Sequence, residues 1–84
     1  MKAFTPDLIE ELEMLALFDL NNHQAGLKVH NNASFKAQGA ITRLHHKGLV
    51  SHPDGGYLTP RGLSAAEQAQ GLLHALKLAE LKQA

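Results

Sequence analysis

The chain has 84 residues, 44% of them hydrophobic, with eight basic and eight acidic side chains that give a formal net charge of zero, and no cysteine. That length is expected to form a single domain with a modest core and leaves no room for a second one. Without cysteine, neither a disulfide framework nor a thiolate zinc site can form, which fits a reducing cytoplasm.

The first helix is expected over about 6–19. Thr5-Pro6-Asp7 opens it, with Thr5 as N-cap, Pro6 at the position where a missing N–H costs nothing, and Asp7 at the positive end of the helix. Leu8, Ile9, Leu12, Leu15 and Ala16 recur at helical spacing, while Glu10, Glu11 and Glu13 read as a solvated charged face. Asn21-Asn22 interrupts this pattern. A short second helix from His23 to about His30 follows, although Gly26 and Val29 disfavour it and a strand from Leu27 to His30 is the alternative.

Asn31-Asn32 suits a turn, and Asn32 or Ser34 can cap a third helix over about 33–47. Projection of that helix at the α-helical period sends Ala37, Ala40, Ile41 and Leu44 inward. Phe35, Lys36, Gly39, Thr42, Arg43 and His46 go outward, with Ser34 and Gln38 at the N-terminal edge. Phe35 is the exception on the outer side and is expected to fold back against the first or second helix.

Lys47 and Gly48 close the third helix, with the glycine where a left-handed C′ residue belongs. Leu49-Val50 and Tyr57-Leu58 flank Pro53-Asp54-Gly55-Gly56, a hairpin pattern over about 49–59 with a four-residue loop. Thr59-Pro60 then opens a last helix over about 60–82. Leu63, Ala66, Leu73 and Leu76 mark one stripe on it, which Ala65, Ala69, Leu72, Ala79 and Leu81 widen beyond what a single first helix covers. A homodimer built from the N- and C-terminal helices is the expected cover.

The run RLHHKGLV (Arg43 to Val50), a hairpin, and LTPRG (Leu58 to Gly62) resemble the end of the recognition helix, the wing and the return helix of MarR-type winged-helix regulators. Ala25 to Val50 has the length of their helix-turn-helix, here expected over about 22–47. The whole chain also resembles a small family of uncharacterised bacterial proteins of about this length that are labelled DNA-binding. The resemblance implies a mainly α, winged helix-turn-helix fold with a small β-hairpin, a dimer through the terminal helices, and transcription regulation by binding double-stranded DNA. It also implies a cationic wing, and here the sequence departs from it: the tip carries Asp54, which repels phosphate, and no arginine before Arg61.

The outward residue types suit a groove. Arg43 has the geometry for a bidentate pair with guanine, Gln38 with adenine, and Thr42 for contact with a thymine methyl. Lys36 and Lys47 are placed to neutralise phosphates, with Arg61 the first cation after the hairpin, and Gly39 would allow close approach. Ser34 and His46 complete the candidate DNA-binding set. Charge is unevenly distributed in the same sense. Residues 1–20 hold one lysine against five carboxylates, a net −4, whereas residues 21–64 hold five cations against Asp54 alone, a net +4, together with five of the six histidines. A solvated polar helix face is the plainer account of the same residues, and zero net charge fits a protein-interaction module on the same scaffold.

Other classes find little support. The histidines lack the i,i+4 spacing of a metal pair on one helix, and His45 and His46 diverge by about 100° on a helical projection. No Gly-rich phosphate loop or cysteine nucleophile is present, so no catalytic residue, metal ligand or cofactor is assigned. No apolar run approaches the roughly 18–20 residues that span a bilayer, and Asp7, Glu10 and Glu11 stand where a leader would be apolar. A soluble cytoplasmic protein without a membrane partner is expected.

Overall fold

Hydroxyl side chains set where the helices begin. In the computed structural model, which describes residues 2–22, 24–29 and 33–83 and only the backbone of 79–83, Thr5 Oγ1 accepts the Leu8 N–H at the start of α1 (Pro6–Leu15). Ser34 Oγ accepts the Ala37 N–H at the start of α2 (Phe35–His46). Thr59 Oγ1 accepts the Gly62 N–H at the start of α3 (Pro60–Gln83) and donates to the Gly48 carbonyl at 2.6 Å, tying that start to the end of α2. Each cap satisfies an N–H that the helix itself leaves without an acceptor.

Between the helices lie β1 (Leu27–Lys28), β2 (Val50–His52) and β3 (Gly55–Leu58), an antiparallel sheet in the order β1-β3-β2. Among the described residues, three helices and this small sheet make the architecture. The helix expected over 23–30 is not formed in the described residues 24–29. Asp19 and Asn22 instead hold a chain of turns through their carbonyls and side-chain oxygens, and β1 follows. Burial alternates here, with Leu27 half-buried, Lys28 exposed and Val29 buried, as extended backbone gives. The parts of that prediction resting on His23, His30 and the Asn31-Asn32 turn lie outside the described residues.

Two further boundaries move. α1 ends at Leu15 rather than near residue 19, because Gln70 of α3 donates from Nε2 to the carbonyls of Leu15 (3.2 Å) and Phe18 (2.8 Å) and so caps the helix from another element. The chain then turns and buries Phe18. The hairpin loop is two residues, Pro53-Asp54, not four, since Gly55 and Gly56 belong to β3. Both glycines have positive φ (127° and 82°), and a Cβ on Gly55 would collide with the Leu27 carbonyl of β1. The glycine pair lets β1 lie directly on the hairpin.

The core comprises Met14, Leu15, Phe18, Val29, Ala40, Ile41, Leu44, Val50 and Ala66, with Leu49 and Leu58 packed against it. α2 therefore buries the stripe that its periodicity indicates. α3 reaches the core through Ala66, and Ala65 and Ala69 lie beside it, but residues 71–78 are exposed throughout. Among the described residues no helix is long and apolar enough to cross a membrane.

Candidate nucleic-acid interface

α2 presents an acid-free sequence, FKAQGAITRLHH, between α1 on one flank and the hairpin on the other. Its open side carries Ser34, Phe35, Lys36 and His46, all exposed, with Gly39 half-buried among them. Lys36 makes no ion pair among the described residues, although Glu10 and Glu13 line the same groove beside Pro6 and Ile9. Arg61, exposed in the first turn of α3, is likewise without an ion pair and lies near Gly48. His46 stands edge-to-face with His45, ring centroids 6.0 Å apart.

The other cations of α2 are engaged within the molecule. Arg43 Nε donates to Glu11 Oε2 at 2.8 Å, and Nη2 reaches the Asp7 carbonyl at 3.3 Å and Glu10 Oε1 at 3.5 Å. Lys47 Nζ donates to the second oxygen of the same Glu11 carboxylate. The outward projection of Arg43 is thus corrected: its fork lies along α2 toward α1, and no free bidentate face is held ready for guanine. Helical geometry explains the error. Residues 43 and 47 share one side of α2, and that side meets α1, whose acidic turn outcompetes solvent for the guanidinium.

The same contact corrects the reading of the first helix. Glu11 does not belong to a solvated face; it is 5% exposed and lies on the buried side of α1 with Met14 and Leu15. Burial is the largest influence on its carboxyl and would raise the pKa, but hydrogen bonds and charge from Lys47 and Arg43 outweigh burial and bring it below the ordinary 4.5. Arg43 in turn is raised, first by its hydrogen bond to Glu11. The signal for this pairing was present in the charge pattern, since the −4 of residues 1–20 faces the +4 of the middle segment.

Three smaller placements change what α2 can offer a ligand. Thr42 is half-buried, and its hydroxyl donates to the Pro53 carbonyl at 3.3 Å, bracing the hairpin tip against α2. Val29 N–H donates to the Asp54 carbonyl at 2.8 Å from the other side, so the tip is held back rather than extended as a wing. Gln38 donates from Nε2 to the Ala33 carbonyl at 2.6 Å, which gives its amide a role in the turn before α2. Gly39 has a local purpose as well: a Cβ there would sit 3.2 Å from Arg43 Nη1, so the glycine makes room for the guanidinium.

Phe35 does not fold back. It is 92% exposed at the first position of α2, so the expectation of packing against a neighbouring helix fails. An apolar recess lies elsewhere. Phe4, Ile9, Leu12, Ala69, Leu72 and Leu76 are among the residues lining a groove of about 280 Å³ between α1 and α3. Among the described residues no cluster of three His, Cys, Asp or Glu side chains is placed to hold a metal ion.

A family model described as "Family of unknown function (DUF5669)" matches residues 2–77. No curated protein and no solved structure matches the chain.

Proposed function

The chain belongs to this family of unknown function, and we propose that it is a winged-helix protein that binds double-stranded DNA through the open side of α2, as a transcription regulator. The observation that carries the reading is the exposed, acid-free outer side of α2 between a packing helix and a hairpin. A helix of 12 residues is about 18 Å long and 10–12 Å across, dimensions that the major groove, about 12 Å wide, admits. The order α2-β2-β3-α3 supports the winged-helix resemblance of residues 43–62, whereas β1 stands where the helix-turn-helix expected over 22–47 would have its first helix. Lys36 and Arg61 take phosphates, the exposed Ser34 end of α2 adds the favourable pole of the helix, and the exposed His46 ring adds a hydrogen-bonding group near the backbone. Arg43 and Lys47 act differently in this reading, as the clamp that fixes α2 on α1.

The test is duplex binding by the parent and two variants. Lys36→Ala and Arg61→Ala are each expected to weaken binding to all sequences alike and to reduce the salt slope by about one, as loss of a phosphate contact requires. Two variants with parental affinity and slope would remove these residues from the interface.

The protein is a homodimer in this account. Leu8, Ile9 and Leu12 of α1 and Leu72, Leu73, Leu76 and Leu78 of α3 are exposed large apolar side chains, more than an isolated small domain normally leaves to water. Sedimentation at micromolar concentration should give about twice the chain mass, and Leu76→Glu should return it to one. A clean monomer for the parent would remove the two-fold site. A second reading, a protein-interaction module on the same scaffold, draws on the neutralisation of Arg43 and Lys47 by α1, which leaves few cations for phosphate.

A further inference from the structure

Phe35 stands apart from the other exposed apolar residues. Ile9 and Leu12 of α1 and Leu72, Leu73 and Leu76 of α3 line a common groove, whereas Phe35 lies on the open side of α2, in its first turn, with 92% of its surface in water. Its neighbours one turn along are Gln38, whose amide donates to the Ala33 carbonyl, and Gly39, which has no side chain to lay on the ring. Leaving a phenyl ring in water forgoes the stabilisation that burial would give, and this sequence places one at the leading edge of the surface assigned to DNA. Beside it Lys36 is exposed and unpaired by any ion-pair partner among the described residues, and α2 itself carries no carboxylate. The pair offers one charge and one apolar surface on adjacent positions.

Resting on the duplex reading above, we propose that Phe35 is a specificity-determining residue that packs on a thymine C5-methyl group in the major groove. The chemistry leaves one such feature. Base edges in that groove present hydrogen-bond donors and acceptors, and the thymine methyl is the one apolar group among them. A phenyl ring cannot pair with donors or acceptors, so it discriminates by burying that methyl, while Lys36 holds the adjacent phosphate. Thr42, the residue whose type suggested methyl contact, has its hydroxyl committed to Pro53 and lies farther along α2. The leading position and the open ring pass that role to Phe35.

The experiment compares two labelled duplexes of about two helical turns, one of alternating dA and dT and one of alternating dA and dU. Both have the same phosphates, and the second lacks every methyl. The parent should bind the thymine duplex about three- to fivefold more tightly, the effect of burying about one methyl group. Phe35→Ala should bind both duplexes at the parent's uracil level, and Phe35→Leu should keep part of the preference. Lys36→Ala should weaken both duplexes equally. Circular dichroism of the variants should match the parent, because the exposed ring holds no packing. Salt-dependent binding by the parent with no methyl preference overturns this proposal and leaves the duplex reading intact. The same holds if Phe35→Ala keeps the preference, or if it leaves affinity for both duplexes unchanged, as a ring that docks on a protein partner would. Absence of binding to either duplex overturns both.

Discussion

Leu44→Ala should lower the unfolding free energy by about 2–5 kcal/mol, read as a fall in the urea midpoint with an unchanged slope. Leu44 is 1% exposed and packs among Ile41, Val50 and Ala40 where α2 meets the hairpin and α1. Truncation removes buried methyl groups and opens a cavity that the flanking elements cannot close, since Thr59 and Leu49 hold the hairpin base in place by backbone and side-chain hydrogen bonds. A variant melting within a degree or so of the parent would mean that α2 is rotated, and its open side with it.

Glu11→Ala should cost about 1–3 kcal/mol near neutral pH, because it removes one buried carboxylate that serves both Arg43 and Lys47. The sign of the pH dependence follows from the lowered pKa of Glu11. The native state holds that proton less readily than the unfolded chain, so the stabilisation is complete above the ordinary value of 4.5 and is lost as pH falls through the lower native value. The parent should therefore lose more stability on acidification than the variant, and their unfolding free energies should converge at low pH. Equal stability of the two at pH 7, or a gap that widens with acid, would refute the clamp. Under the duplex reading the variant has a second consequence: with Arg43 and Lys47 released, DNA binding should become more dependent on salt, not less.

The features legible in the sequence are those that chemistry enforces locally. Thr5-Pro6, Ser34 and Thr59-Pro60 begin helices because a hydroxyl is needed wherever the first N–H groups lack acceptors. Gly48 ends α2 at φ 77°, where a side chain would be strained, and Ala40, Ile41 and Leu44 face inward because their spacing allows nothing else. What escaped the sequence depends on contacts between elements. Glu11 looks like surface by residue type, and only the arrival of two cations from α2 makes its burial tolerable. The early end of α1 is set by an amide 55 residues away, Gln70, which no local pattern reveals. β1 was an alternative and not the first expectation because two strand residues carry almost no periodic signal, and its place is decided by the glycines of β3. Phe35 is expected to fold back because stacking aromatics belong to single-strand readers of other folds, yet 92% of its surface is exposed.

The candidate site divides along the same line. Lys36, Ser34 and His46 lie where a period of 3.6 puts them, exposed on α2 or at its N-cap, and Arg61 is exposed beside Gly48 at the far end of that helix. Arg43, Lys47 and Thr42 share that helix but are turned toward α1 or the hairpin tip, because a carboxylate or carbonyl within reach attracts a donor more strongly than water does when the site is partly desolvated.

The most direct test of DNA binding is a salt titration of the unmodified chain with a fluorescently labelled duplex of random sequence, followed by anisotropy. The account predicts association at low ionic strength that weakens linearly on a logarithmic plot between about 50 and 200 mM salt, with a slope near −0.9 for each phosphate neutralised. Absence of salt-dependent association with any duplex at low ionic strength would contradict it, and the open side of α2 would then be a surface for a protein partner.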